Sequence, residues 1–229
     1  LEDLAITHLQ KDVIMARLIA ETPFPKIFND YADTQAADRV YLALLESIVA
    51  QQISTKAADA IFARFRALFP DNFPEANALL AKTTDELRSA GLSFQKIKYV
   101  QSVAEFAVRN PLDRIHLDAM TDEEIVQYLL PIKGVGRWTV EMVLMFVLGR
   151  PDIFPINDLI IRQRMIQAYP EQTKDLTGKA LYKVLHQIAD AWRPHRTTAS
   201  RYLWRWKPVL TLRASKPLHF DRYFGFYLD

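Results

Sequence analysis

The chain has 229 residues, half of them hydrophobic, with 29 Lys and Arg against 27 Asp and Glu for a formal net charge of +2. That length supports one large domain or two small cores, and no apolar run approaches a membrane span or a signal peptide. The lack of cysteine excludes disulfides, a cysteine nucleophile and a cysteine-ligated iron–sulfur cluster, and only six glycines favour helix over turn-rich β structure.

In chain order the pattern is helical almost throughout. Residues 39–50 set Val40, Leu44, Ser47 and Ile48 on one stripe, and residues 55–68 continue with Ala57, Ile61, Phe65 and Leu68 until Pro70 stops them. Thr83 with Glu86 forms a capping box for a short helix ending at Gly91. An amphipathic segment over 96–108 closes at Asn110-Pro111, and a second capping box, Thr121 with Glu124, opens a helix through Leu130. Helices follow over 137–148, 158–169, 179–192 and 197–206. Linkers are short, and no 20–50-residue period or low-complexity segment occurs. The reading is all-α, about ten helices; residues 208–229 are aromatic and irregular and receive no assignment.

The most informative segment is Leu130-Pro131-Ile132-Lys133-Gly134-Val135-Gly136-Arg137-Trp138-Thr139. Pro131 ends one helix, and two glycines allow positive φ and close backbone approach before the next helix opens. The amides of Gly134, Val135 and Gly136 then point outward at a positive dipole end, which suits a phosphate, with Lys133 and Arg137 adding charge. The same pattern also describes a plain helix–helix corner. Asp158 lies twenty positions after Trp138, at the start of a helix behind Phe154-Pro155. In that position an Asp is an ordinary N-cap, and it is also a carboxylate placed for chemistry.

LPIKGVGRWTVEMVL followed by FPINDLIIRQR resembles the hairpin and catalytic-aspartate signature of the helix-hairpin-helix DNA glycosylase superfamily. The likeness is strongest to its alkylbase group (3-methyladenine DNA glycosylase II, AlkA and yeast Mag-like). Ile48-Val49-Ala50-Gln51-Gln52-Ile53-Ser54 with Lys56-Ala57-Ala58, and Gly91-Leu92-Ser93-Phe94-Gln95-Lys96, agree with it, so the resemblance spans roughly residues 40–206. It implies two helical subdomains around a central cleft within a single domain, residues 1–229. One covers approximately 40–150 and includes the helix-hairpin-helix at 122–148; the other draws on approximately 1–39 and 151–229. The N-terminal β-rich domain of the bacterial type is not expected.

The resemblance makes Asp158 the catalytic carboxylate. Breaking an N-glycosidic bond develops positive charge on the deoxyribose, which a carboxylate stabilises while orienting water. An alkylated base is already cationic, so it leaves without a strong general acid, unlike the two-carboxylate chemistry of many sugar hydrolases. Trp138 stands where backbone-cleaving relatives carry a lysine nucleophile, which implies a monofunctional enzyme that leaves an abasic site. Base flipping requires a pocket and a plug. The matching positions are Trp138 and Trp192 for a cation-holding pocket and Gln52, polar where the bacterial form has leucine, for the wedge. Phe24, Tyr41 and Phe154 are further pocket possibilities, with core packing favoured for each. The family also implies a structural monovalent cation, Na or K, on the main-chain carbonyls of Leu130, Ile132 and Val135, with no catalytic cofactor.

Between Ala191 and Phe220 there is no Asp or Glu, while Arg193, Arg196, Arg201, Arg205, Lys207, Arg213 and Lys216 fall there. Such a block either tracks phosphates or forms a solvated basic face. Trp204 and Trp206 within it are packing or rim residues, and His195 is a further DNA-contact candidate. The partner implied is double-stranded DNA containing alkylated bases, met by a monomer without a membrane, in the cytoplasm of a bacterium or the nucleus of a eukaryote. Two other readings stand beside it: a non-catalytic hairpin DNA-binding module, and a glycosylase of different base specificity.

Overall fold

The computed structural model describes residues 2–22 and 39–207. Phe24, Arg213, Lys216 and the segment 208–229 lie outside the described residues. All regular structure within them is helical, in two units: residues 39–148, and residues 2–22 with 149–207.

The first unit is built on α3 (Arg39–Ala50), whose Val40 to Leu45, Ile48 and Val49 are all buried. A helix apolar on nearly every side must be enclosed. Here α4 (Thr55–Arg66) and α7 (Phe94–Arg109) pack on it, and α5 (Ala76–Ala81) and α6 (Thr84–Ser89) pack in turn on α7. Then come α8 (Arg114–Asp118), α9 (Asp122–Leu129) and α10 (Arg137–Met142). Both expected capping boxes form. Thr83 and Thr121 accept from the amides of Glu86 and Glu124, whose carboxylates accept from the cap amides in return. Gly91, at φ 100°, is the left-handed residue just past α6. The stretch 137–148 changes pitch midway, because Val143–Val147 runs as a π-turn closed by Leu148 N–H on the Val143 carbonyl.

The second unit assembles from both ends of the described chain. It contains α1 (Glu2–Leu9), α2 (Val13–Glu21), α11 (Leu159–Ala168), α12 (Pro170–Thr173), α13 (Gly178–Asp190) and α14 (Arg196–Arg205). The buried α14 lies centrally, touching α1, α2 and α11. The sequence reading recovered the long helices and gave no assignment to α1, α2, α5, α8 or α12. The last three, of four to six residues, are too short to show a 3.6-residue period. Among the described residues no helix is long and apolar enough to cross a membrane.

Candidate functional site

In the first unit the hairpin is a tight turn. Leu130 caps α9, and the Val135 amide donates to the Ile132 carbonyl at 3.0 Å. Gly134 sits in that turn at φ 88°, and a Cβ there would lie 2.4 Å from Cδ2 of Tyr99. Both the positive φ and the ring beneath it demand glycine. Gly136 differs. Its φ is −103°, any residue could adopt it, and a Cβ there would meet nothing within 4 Å. The protein itself does not require glycine at 136, so the open backbone faces outward at the start of α10, where no side chain caps the first amides. Lys133 is exposed and its amide donates to Ser102 Oγ at 3.1 Å. Arg137 is engaged: its Nη2 contacts both carboxylate oxygens of Glu123 at 2.8 and 2.6 Å, with Glu141 4.0 Å from Nη1. Trp138 follows it, half-buried.

The Gln51–Gln52 loop lies against this hairpin. Gln51 Nε2 donates to the Gly134 carbonyl at 2.9 Å, while Gln52 is exposed at φ 61°, a strained conformation for a residue with a side chain. Gln51 thereby braces the hairpin, a role distinct from the wedge expected of Gln52. Lys96 Nζ donates to the Val49 carbonyl at 2.6 Å, and burial pushes its amine below the ordinary lysine range. Tyr41 is core, its hydroxyl donating to the Pro74 carbonyl.

In the second unit Asp158 is the N-cap of α11 and is 6% exposed. Its Oδ1 accepts from the amides of Ile160 and Ile161, each at 2.9 Å, and from Nε1 of Trp204 at 3.1 Å. A turn aims it: the Asp158 amide donates to the Pro155 carbonyl, and Arg162 braces the same turn through the Ile156 carbonyl. The two roles open in the sequence therefore coexist, since the cap leaves a carboxylate fixed in orientation. Sequence reading missed Trp204 as its partner, because a tryptophan near the end of a basic helix carries no mark of where its N–H points.

Trp192 is 0% exposed. Its Nε1 donates to Asp12 Oδ2 at 3.1 Å, and its ring meets Phe154 edge-on and Tyr169 at a tilt. Asp12 Oδ2 also accepts from the Tyr169 hydroxyl at 2.7 Å, while its Oδ1 caps α2; burial, then this bond, raises the phenol above its ordinary value. Trp192 and Phe154 are thus packed inside this unit, and the indole bonded to Asp158 is Trp204. The basic stretch is divided where it is described: Arg201 is buried, Arg196 and the exposed Arg193 both bind Asp152, and Lys207 is exposed. His195 stands at the N-cap of α14 with its ring 5.4 Å from that of His8. Among the described residues no cluster of three metal-binding side chains occurs.

Residues 45–193 match the model of the HhH-GPD superfamily base excision DNA repair proteins. DNA-3-methyladenine glycosylase 1 of Schizosaccharomyces pombe is 32% identical over 187 residues, 79% of this chain and 78% of that one. Among solved structures, the S. pombe 3-methyladenine DNA glycosylase in complex with abasic DNA superposes with a TM-score of 0.71 at 29% identity, covering 87% of this chain and 94% of its own. A DNA-3-methyladenine glycosidase from Bacillus halodurans gives 0.68 at 30% identity, covering 86% of each chain.

Proposed function

The chain belongs to the HhH-GPD superfamily of base excision DNA repair proteins, and we propose that it is a monofunctional DNA glycosylase that excises alkylated, cationic purines and leaves an abasic site. The observation that carries this reading is the oriented, nearly enclosed carboxylate of Asp158, held by three N–H donors on one oxygen.

The duplex is held first through its backbone. The amides of Gly134 and Gly136 receive a phosphate, with Lys133 adding charge, whereas the Val135 amide expected to join them is taken by the Ile132 carbonyl within the turn. Arg137 joins them by exchanging Glu123 for phosphate, because so exposed an ion pair contributes only about 0–1 kcal/mol. The main-chain carbonyls of Leu130, Ile132 and Val135 suit a Na or K ion: all are neutral oxygens at a helix end or turn, and the Ile132 oxygen keeps a second lone pair beside its bond to the Val135 amide. Held there, such an ion would supply positive charge for binding a phosphate.

Gln52 fills the gap left in the stack, and Trp138 offers its face to the extruded base. Trp192 enters this reading only through packing, since no part of its ring is exposed. As the bond from the base nitrogen to C1′ breaks, its electron pair leaves with the base, and Asp158 stabilises the positive sugar. Water then adds to C1′, and its proton passes by way of the carboxylate to solvent. Trp138 has no amine, so no Schiff base forms with the sugar. The chain acts as a monomer on double-stranded DNA, in the bacterial cytoplasm or the eukaryotic nucleus.

The test is base release from methylated duplex DNA, with products identified. Free 3-methyladenine or 7-methylguanine supports the proposal, and borohydride should trap no protein–DNA adduct. Binding without release would reduce the protein to a DNA-binding module.

A further inference from the structure

The DNA-binding features of the first unit share one support. Along α7, Lys96, Tyr99 and Ser102 are spaced by three, so they lie on one stripe. Lys96 holds the last turn of α3 through the Val49 carbonyl, immediately before Gln51 and Gln52. Tyr99 forms the floor under Gly134, with its hydroxyl accepting from Gln95 Nε2 at 2.6 Å. Ser102 Oγ accepts from the Lys133 amide. Gln51 closes the circuit by donating across to the Gly134 carbonyl. Six residues of helix span about 9 Å, so the loop and the hairpin are seated on a rigid element a fixed distance apart.

We infer that α7 is a register device: Lys96, Tyr99 and Ser102, with Gln51 as cross-tie, are positioning residues that hold Gln52 at a set offset from the hairpin amides, so that phosphate capture and insertion into the stack occur as one docking event. This rests on the role proposed above for Gln52 and the hairpin. The strained backbone of Gln52 fits it, because a left-handed residue with a side chain persists only where its surroundings over-determine it. The positive end of Lys96 also lies where a helix C-terminus favours a cation.

The test uses the whole protein and a duplex with an abasic-site analogue and 2-aminopurine beside it, whose fluorescence rises on unstacking. Lys96→Met should cut that response by about tenfold or more, the lower end of the loss that one hydrogen bond to a charged group corresponds to, and leave affinity for undamaged duplex within about twofold. Lys96→Arg, which keeps a donor, should restore it. Ser102→Ala is a milder second variant with the same expected direction. Amide hydrogen exchange in the free protein should quicken at 50–54 and 132–136 together in Lys96→Met. An unchanged fluorescence response, equal losses on damaged and undamaged DNA, or faster exchange at 50–54 alone would overturn the inference. Wild-type protein separates the two claims. A fluorescence response without base release would refute the glycosylase reading and leave the register standing, whereas base release with an intact response in Lys96→Met would refute only the register.

Discussion

Replacing Trp204 by Phe removes one hydrogen bond from Asp158 and keeps most of the ring. Three N–H groups converge on Oδ1, and the two amides come from α11 itself, so they survive the change and the cap persists. What is lost is the restraint imposed by α14. A hydrogen bond to a charged group is worth about 1.5–3 kcal/mol. If that sum is expressed in the transition state, at about 1.4 kcal/mol per factor of ten, kcat falls roughly ten- to 150-fold. KM should barely move, because the contact acts on the carboxylate and not on bound DNA. Tyr169→Phe is the control. It deletes a comparable buried hydrogen bond, 2.7 Å to Asp12, in the same unit, so it matches the stability cost without touching Asp158. Single-turnover excision from methylated duplex, with thermal melts to fix the folded fraction, gives both numbers. Equal losses of kcat in the two variants, or a fully folded Trp204→Phe with kcat within twofold of wild type, would refute the reasoning.

Asp158→Asn should retain the fold, because Asn caps a helix about as well as Asp, yet lose excision by a factor of about 100 or more while still binding abasic-site DNA; retained turnover would move the reacting carboxylate elsewhere. Gly134→Ala should destabilise the first unit by more than the ~1–2 kcal/mol of a left-handed alanine, since its Cβ also meets Tyr99 at 2.4 Å; a denaturation midpoint equal to wild type would contradict that geometry. Glu86, in the capping box of α6, has its carboxyl lowered to about 2 from its ordinary 4.5, chiefly by the Thr83 amide. Between those values the unfolded chain binds the extra proton, so this contribution is complete above pH 4.5 and is lost as pH falls towards 2. Glu86→Gln should therefore flatten the rise of melting temperature over that range, and identical profiles would count against the box.

The parts legible in the sequence were those with local causes. Both capping boxes, the glycines of the hairpin and the helix start at Asp158 follow from neighbours within a few positions, and the structure has them at those residues. The parts that were not legible depend on partners far along the chain. Trp204 stands 46 positions from the carboxylate it orients, and Gln51 stands 83 from the hairpin carbonyl it holds. No periodicity encodes such pairs, because a helix face specifies burial and not the atom that a buried N–H will meet. The same limit explains Trp192 and the basic stretch. Composition displays a tryptophan or a run of arginines, while Asp12 and Asp152, which receive them, look like ordinary surface acids until the chain is folded.

Asp12 has a consequence for the order in which the molecule is made. Its carboxylate joins the cap of α2 to Tyr169 and Trp192, 157 and 180 positions later. During synthesis, a chain that has emerged only through residue 148 already contains every residue of 39–148, but just the opening fragment of the other unit. The hairpin can therefore take shape on the ribosome while Asp12, capping α2 through Oδ1, still awaits Tyr169 and Trp192 on Oδ2. Asp158 acquires its indole only when α14 has followed. Domains fold as their last segments become available. A nascent or prematurely ended product would accordingly grip DNA before it can cut a base from it, and proteolysis timed during synthesis should reveal protected 39–148 well before protected 149–207.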